Sequence, residues 1–153
     1  GNRDLVLHVL AGLGRADCQV LAPVRSHLRQ EDLETLPRNV HVTDWLPAHQ
    51  LGDAVDLAIT HGGEGTVQTS CVQGWPFIGI PLQFEQRFNV QRCVAFGSAR
   101  LVSQREARRA DWAELVRQAL ADDVMRSRAR RMAGLMEGLD GPGRAAEAIC
   151  ELL

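Results

Sequence analysis

Along this chain, short apolar runs that end in Gly, Pro, Thr or His alternate with longer stretches whose apolar residues recur at helical spacing. That alternation constrains the fold more than any other feature. The short runs place strands at Cys18–Ala22, Val40–Thr43, Leu57–Thr60, Phe77–Ile80 and Arg100–Val102. Runs such as Leu57-Ala58-Ile59 and Phe77-Ile78-Gly79-Ile80 do not alternate with polar residues, the pattern of strands covered on both faces of a parallel sheet. Between them the spacing predicts helices over Glu31–Leu36, Ala48–Leu51, Gly65–Gln73, Glu85–Phe96, Asp111–Ala121 and Val124–Glu137. A last helix, Arg144–Leu152, is set off by the breaker Asp140-Gly141-Pro142-Gly143. The fold class that follows is α/β, an open, doubly wound, mostly parallel sheet.

The beginning allows two readings. Asp4 followed by Leu5, Val6, Val9 and Leu10 suits an Asp-capped amphipathic helix ending near Gly12 or Gly14, or a strand over Leu5–Leu10. The helix is the better reading, because Arg15-Ala16-Asp17 is too short to cross between two parallel strands, which need about ten or more residues. The sheet is then expected to lack the first strand of its usual unit. With 153 residues and no low-complexity linker, one domain covering 1–153 is the default. The lack of an initiator Met suggests a piece of a longer chain.

Composition narrows the function classes. A net charge of -2 with mixed signs along the chain gives nucleic acid no electrostatic footprint. No apolar stretch reaches the roughly 20 residues of a membrane span, and the first residues do not resemble a secretory signal. Cys18, Cys71, Cys93 and Cys150 are far apart, with no metal-ligand spacing, so reduced thiols and a cytoplasmic location are expected.

Three segments carry potential chemistry. The strand Leu57–Thr60 runs into His61-Gly62-Gly63-Glu64-Gly65-Thr66 and then a helix. Glycines let backbone approach a ligand, and the first helical turn aims free N–H groups and the positive dipole end at an anion. Thr66 adds a hydroxyl and His61 a ring donor. Glycine in a βα loop also serves tight turning alone, and neither the P-loop nor the dinucleotide spacing is present. The second segment, Asp44-Trp45-Leu46-Pro47, follows the strand Val40–Thr43; Trp45 can stack on a base, although core packing is the commoner role of such a Trp. In the third, Pro81 to Asn89, Glu85 and Gln86 can hydrogen-bond adjacent sugar hydroxyls, or simply favour a helix start. All three lie beyond the carboxyl ends of strands, where open α/β sheets bind ligands.

Taken as one string, Asp44-Trp45-Leu46-Pro47, Ile59-Thr60-His61-Gly62-Gly63, Gly74-Trp75-Pro76-Phe77, Ile80-Pro81 and Glu85-Gln86-x-x-Asn89 resembles the donor-binding half of GT-B glycosyltransferases, the UDP-glycosyltransferases and bacterial antibiotic and macrolide glycosyltransferases. The resemblance implies a Rossmann-like donor domain with Trp45 and Leu46 at the nucleobase. It puts His61, Gly63, Gly65 and Thr66 on the diphosphate, Thr69 at the ribose, and Glu85 and Gln86 on the sugar. Thr69 stands where many members carry Glu, and Glu85 where Asp is commoner. It further implies no metal and no cofactor, a UDP- or dTDP-hexose as donor, and an amino-terminal acceptor domain that supplies the catalytic base, so that no catalytic residue lies within this chain. Alternatives are a non-catalytic nucleotide-binding module, a subunit of a split transferase, and a nucleotide-sugar epimerase of similar fold.

Overall fold

A computed structural model describes residues 2–152. The order is α1 (Asn2–Leu13), β1 (Val20–Ala22), α2 (Gln30–Leu33), β2 (Val40–Val42), β3 (Ala58–Thr60), α3 (Glu64–Gln73), β4 (Phe77–Gly79), α4 (Phe84–Phe96), β5 (Ala99–Leu101), α5 (Gln104–Ala107), α6 (Trp112–Leu120), α7 (Asp123–Met136) and α8 (Gly141–Cys150). The chain opens on the helix, as the crossover argument requires, with Leu5, Val9, Leu10 and Leu13 buried on one side.

Every strand pairing is parallel. The strands form two sets, β1–β2 and β3–β4–β5. In the doubly wound order 3-2-1-4-5-6 they take places 2 and 3 and places 4 to 6. Among the described residues no strand takes the central place, in keeping with the expected missing strand. The two sets remain joined by packing, since Val20 of β1 and Ile59 of β3 lie against the same core cluster as Leu5, Ile78 and Trp112.

Side chains alternate across β4, and this builds two layers. Ile78 faces α1, α6 and the buried Trp112. Phe77 faces Val67 of α3 and Val90 and Cys93 of α4. Gly79 explains how closely α4 approaches: a Cβ there would lie 2.5 Å from Val90 Cγ2. Replacing that glycine would force α4 off the strand.

Three expectations need correction. The helix expected over Glu31–Leu36 closes at Leu33, because Pro37 disfavours helical geometry at Leu36. Ala48–Leu51 is a single 3-10 turn, Ala48–Gln50, cut short by Gly52 at φ 49. Asp140-Gly141-Pro142-Gly143 is no breaker. Asp140 caps α8 by accepting the Gly143 N–H at 2.9 Å, and a Pro in a first helical turn removes no donor the helix needs. The chain turns earlier, at Gly138 with φ 74. The short α5 was not expected.

Candidate functional site

Parallel pairing sets the carboxyl ends of β3, β4 and β5 side by side, with Thr60 in register with Gly79 and Gly79 with Leu101. The loops that leave them therefore share one edge. Ile80 N–H donates to Thr60 O at 2.8 Å and Val102 N–H to Gly79 O at 2.9 Å, which carries the alignment into the loops.

After β3 the chain turns at Gly62, whose φ of 86 suits glycine. A Cβ at Gly62 would meet Val90 Cγ2 at 2.5 Å and Gln86 O at 2.9 Å, so the loop is pressed against α4. Asn89 Nδ2 donates to Gly62 O at 3.2 Å and fastens the same contact. A short hydroxyl chain stiffens the turn: Gly62 N–H donates to Thr60 Oγ1 at 3.2 Å, Thr60 Oγ1 meets Thr66 Oγ1 at 2.7 Å, and Thr66 Oγ1 donates to Gly63 O at 2.9 Å. The Thr66 hydroxyl proton is thus committed within the loop, and the donors left for a ligand are backbone amides and the exposed His61 ring.

Those donors lie at the start of α3. Its N-cap, Gly63, has no side chain to accept from the first turn, whereas Ser103, Asp111, Asp122 and Asp140 each cap their helices with an oxygen. The first bond within α3 runs from Val67 N–H to Gly63 O at 3.0 Å. The amides of Glu64, Gly65 and Thr66 therefore have no partner inside the helix. Gly65 has nothing within 4 Å of the place a Cβ would take, leaving open approach to that turn. His61 is exposed, and its Nε2 lies 2.5 Å from where a Cβ on Gly63 would be. The imidazole occupies the space that a side chain on residue 63 would take.

The other expected residues divide. Of the three Trp, Trp75 and Trp112 are buried with their indole N–H groups on Gly52 O at 2.8 Å and Ala107 O at 2.9 Å. Trp45 is 71% exposed, so core packing is not its role. Leu46 beside it is half-buried. The 3-10 turn that follows is tied to α3 by Gln73 Nε2, which donates to His49 O at 2.9 Å. Thr69 donates its hydroxyl proton to Gly65 O at 2.8 Å. Glu85 is exposed and accepts from Asn89 Nδ2. Gln86 is buried, and its Oε1 accepts from the N–H groups of Leu82 at 2.8 Å and Gln83 at 3.2 Å. That oxygen holds the loop before α4, so only the Gln86 amide nitrogen remains for a ligand.

Asn89 and Thr60 join the site without having been assigned a role. Asn89 carried a sequence signal, standing four residues after Glu85 on one helix face. Thr60 carried none, because its partner is across a turn. The site is an open surface: a cavity of about 380 Å³ lined by Pro81, Leu82, Phe84, Arg87 and Arg105 lies next to it, without including His61 or Trp45. Among the described residues no cluster of His, Cys, Asp and Glu could hold a metal ion, and no helix is long and apolar enough to cross a membrane.

A family model described as erythromycin biosynthesis protein CIII-like, C-terminal domain, matches residues 7–152. Oleandomycin glycosyltransferase of Streptomyces antibioticus is 34% identical over 122 residues, covering 77% of this chain and 27% of its own length. Demethyllactenocin mycarosyltransferase of Streptomyces fradiae is 30% identical, covering 80% and 26%. The chain thus spans about a quarter of the length of these curated relatives. The crystal structure of CalG4, the calicheamicin glycosyltransferase, matches with a TM-score of 0.80 at 26% identity, over 95% of this chain and 38% of that one. Spinosyn rhamnosyltransferase SpnG complexed with thymidine diphosphate shares the fold, with a TM-score of 0.79 at 18% identity over 95% and 40% of the two chains.

Proposed function

Because the chain belongs to the family of erythromycin biosynthesis protein CIII-like C-terminal domains, we propose that residues 1–153 form the donor-binding domain of a GT-B glycosyltransferase. The whole enzyme transfers a hexose-type sugar from UDP or dTDP to an acceptor hydroxyl. The observation that carries this reading is the start of α3, which no side chain caps, with the His61 ring set against its N-cap Gly63.

In the bound state the diphosphate lies against the amides of Gly65 and Thr66, and the His61 ring donates to a phosphate oxygen. Trp45 stacks on the nucleobase, flanked by Leu46. Glu85 accepts from a sugar hydroxyl and the Gln86 amide nitrogen donates to its neighbour. Thr69, whose proton is held by Gly65 O, can only accept at the ribose. As the bond between the anomeric carbon and the diphosphate breaks, negative charge grows on the leaving phosphate oxygen. Fixed amide dipoles and the His61 ring stabilise that charge without reorganising, so this reading requires no metal and no cofactor.

The acceptor pocket and the general base belong to an amino-terminal domain of the same cytoplasmic enzyme. This chain alone then binds nucleotide and has little or no transferase activity. The thymidine diphosphate of SpnG makes dTDP the first ligand to test. Calorimetric titration with dTDP, UDP and their glucose conjugates, repeated on His61→Ala and Trp45→Ala, is the experiment. Binding that both substitutions weaken supports the reading; a folded chain that binds no nucleotide overturns it, as does robust turnover by this chain alone.

A further inference from the structure

Behind the donor loop two thiols face each other. Cys71, in the last turn of α3, is half-buried, and Cys93, on α4, is buried. Their sulfurs are 3.8 Å apart, and both are free cysteines. They join the same two helices whose amino ends carry the phosphate loop and the Glu85–Gln86 pair. A disulfide has its sulfurs about 2.0 Å apart, so the gap must close by roughly 1.8 Å.

We propose that Cys71 and Cys93 form a dithiol modification site at which a peroxide closes an intramolecular disulfide, clasping α3 to α4 and weakening nucleotide binding at the loop between them. The clasp rests on the donor-site reading; the disulfide does not.

The pair is set up for this chemistry. Hydrogen bonding to Cys93, with burial, raises the Cys71 thiol above its ordinary value. The bond from Cys71, with help from Ser98, lowers that of Cys93 against the opposing effect of burial. Of the two sulfurs, Cys93 is the one on which the thiolate, the nucleophilic form, is favoured. Its lone pair attacks one peroxide oxygen, the O–O bond breaks, and a sulfenic acid forms while the other oxygen leaves as hydroxide and is protonated to water. The Cys71 sulfur then attacks the sulfenyl sulfur. The S–S bond forms, the S–O bond breaks, and the departing hydroxide takes the Cys71 proton. The two sulfurs lose two electrons in all, which reduce one peroxide to two waters.

The loop has no slack to absorb the movement. Gly62 already sits against Val90 and the Gln86 carbonyl of α4, and Asn89 holds its oxygen. Drawing α4 toward α3 shifts Gly62 relative to the amides that follow it. A coupling of ordinary size would weaken binding about fivefold or more.

The test uses the chain with Cys150→Ser, which removes the exposed thiol, treated with hydrogen peroxide. The expected result is a mass loss of about 2 Da, the two hydrogens given up, a peptide map linking Cys71 to Cys93, and a dTDP dissociation constant raised about fivefold or more. Dithiothreitol should restore all three. Adding Cys71→Ser should abolish the disulfide and the redox response while leaving dTDP affinity at the reduced parent's value. Thiols that stay unlinked or proceed to sulfinic acid refute the site, and a disulfide with unchanged affinity refutes the clasp. A reduced chain that binds no dTDP refutes the donor reading and the clasp with it, while the peptide map still decides whether the disulfide forms.

Discussion

Gly65→Ala separates stability from binding more sharply than any other substitution here. Residue 65 is the second residue of α3, its φ is not positive, and a Cβ there meets nothing within 4 Å. Alanine at such a site stabilises by about 0.4–1 kcal/mol, chiefly by restricting the unfolded chain. In a protein of this size that raises Tm by about 1–4 °C. The same open space is the approach to the amides proposed to hold the diphosphate. A methyl group in it keeps a phosphate oxygen beyond hydrogen-bond range, and losing one charge-assisted bond costs about 1.5–3 kcal/mol. The dTDP dissociation constant should then rise about tenfold to more than a hundredfold. Differential scanning fluorimetry and calorimetry on the same preparation measure both effects. A variant more stable than the parent that binds dTDP equally well would show that the first turn of α3 does not hold the phosphates.

Four further outcomes follow from the same geometry. Gly63→Ala pushes a methyl into the place of His61 Nε2, 2.5 Å away, so dTDP affinity measured by calorimetry should fall to the level of His61→Ala with little change in Tm. Gly79→Ala drives a Cβ to 2.5 Å from Val90 Cγ2 in a fully buried contact; such overpacking costs about 1–3 kcal/mol, read as a lower urea midpoint. Trp45 is the exposed Trp, so Trp45→Ala should change stability by less than about 0.5 kcal/mol and abolish the quenching of Trp fluorescence by added nucleotide. Hydrogen bonds from Arg3 and the Arg29 amide hold the Asp32 carboxyl below its usual value, and those from Arg117 and Gln118 pull Glu114 down to about 2. Both groups contribute stability above the ordinary carboxylate range of about 4, and it is lost as pH falls below that range through their lowered values. Asp32→Asn should therefore lower Tm at pH 7 and differ less from the parent at pH 3.

Much of this was legible in the chain itself. All five strands lie within two residues of where the apolar runs put them, and the clearest is β4, buried at every residue, whose run has no polar interruption to blur it. The opening helix followed from loop length alone. The unforeseen α5 had its signal too, since Ser103 and Glu106 form a reciprocal capping box. The glycines of the His61–Thr66 loop were visible as a group, but their separate duties were not. Gly62 admits Val90, Gly63 admits the His61 ring and Gly65 leaves space; the first two duties depend on a neighbour far along the chain or folded back over the turn, and the third on nothing coming near.

The sequence alone thus determined the order of the strands and longer helices, the edge on which the loops gather and the residue types proposed to meet a nucleoside diphosphate. These depend on local periodicity and on the parallel connection rule, which act over a few residues at a time. Only the tertiary structure decided which polar groups remain free. Asn89 spends its amide on the Gly62 carbonyl and Trp75 its indole N–H on Gly52 O, while Trp45 stays exposed. A hydrogen bond is won by whichever partner folding brings within about 3 Å, and spacing along a chain does not encode that distance.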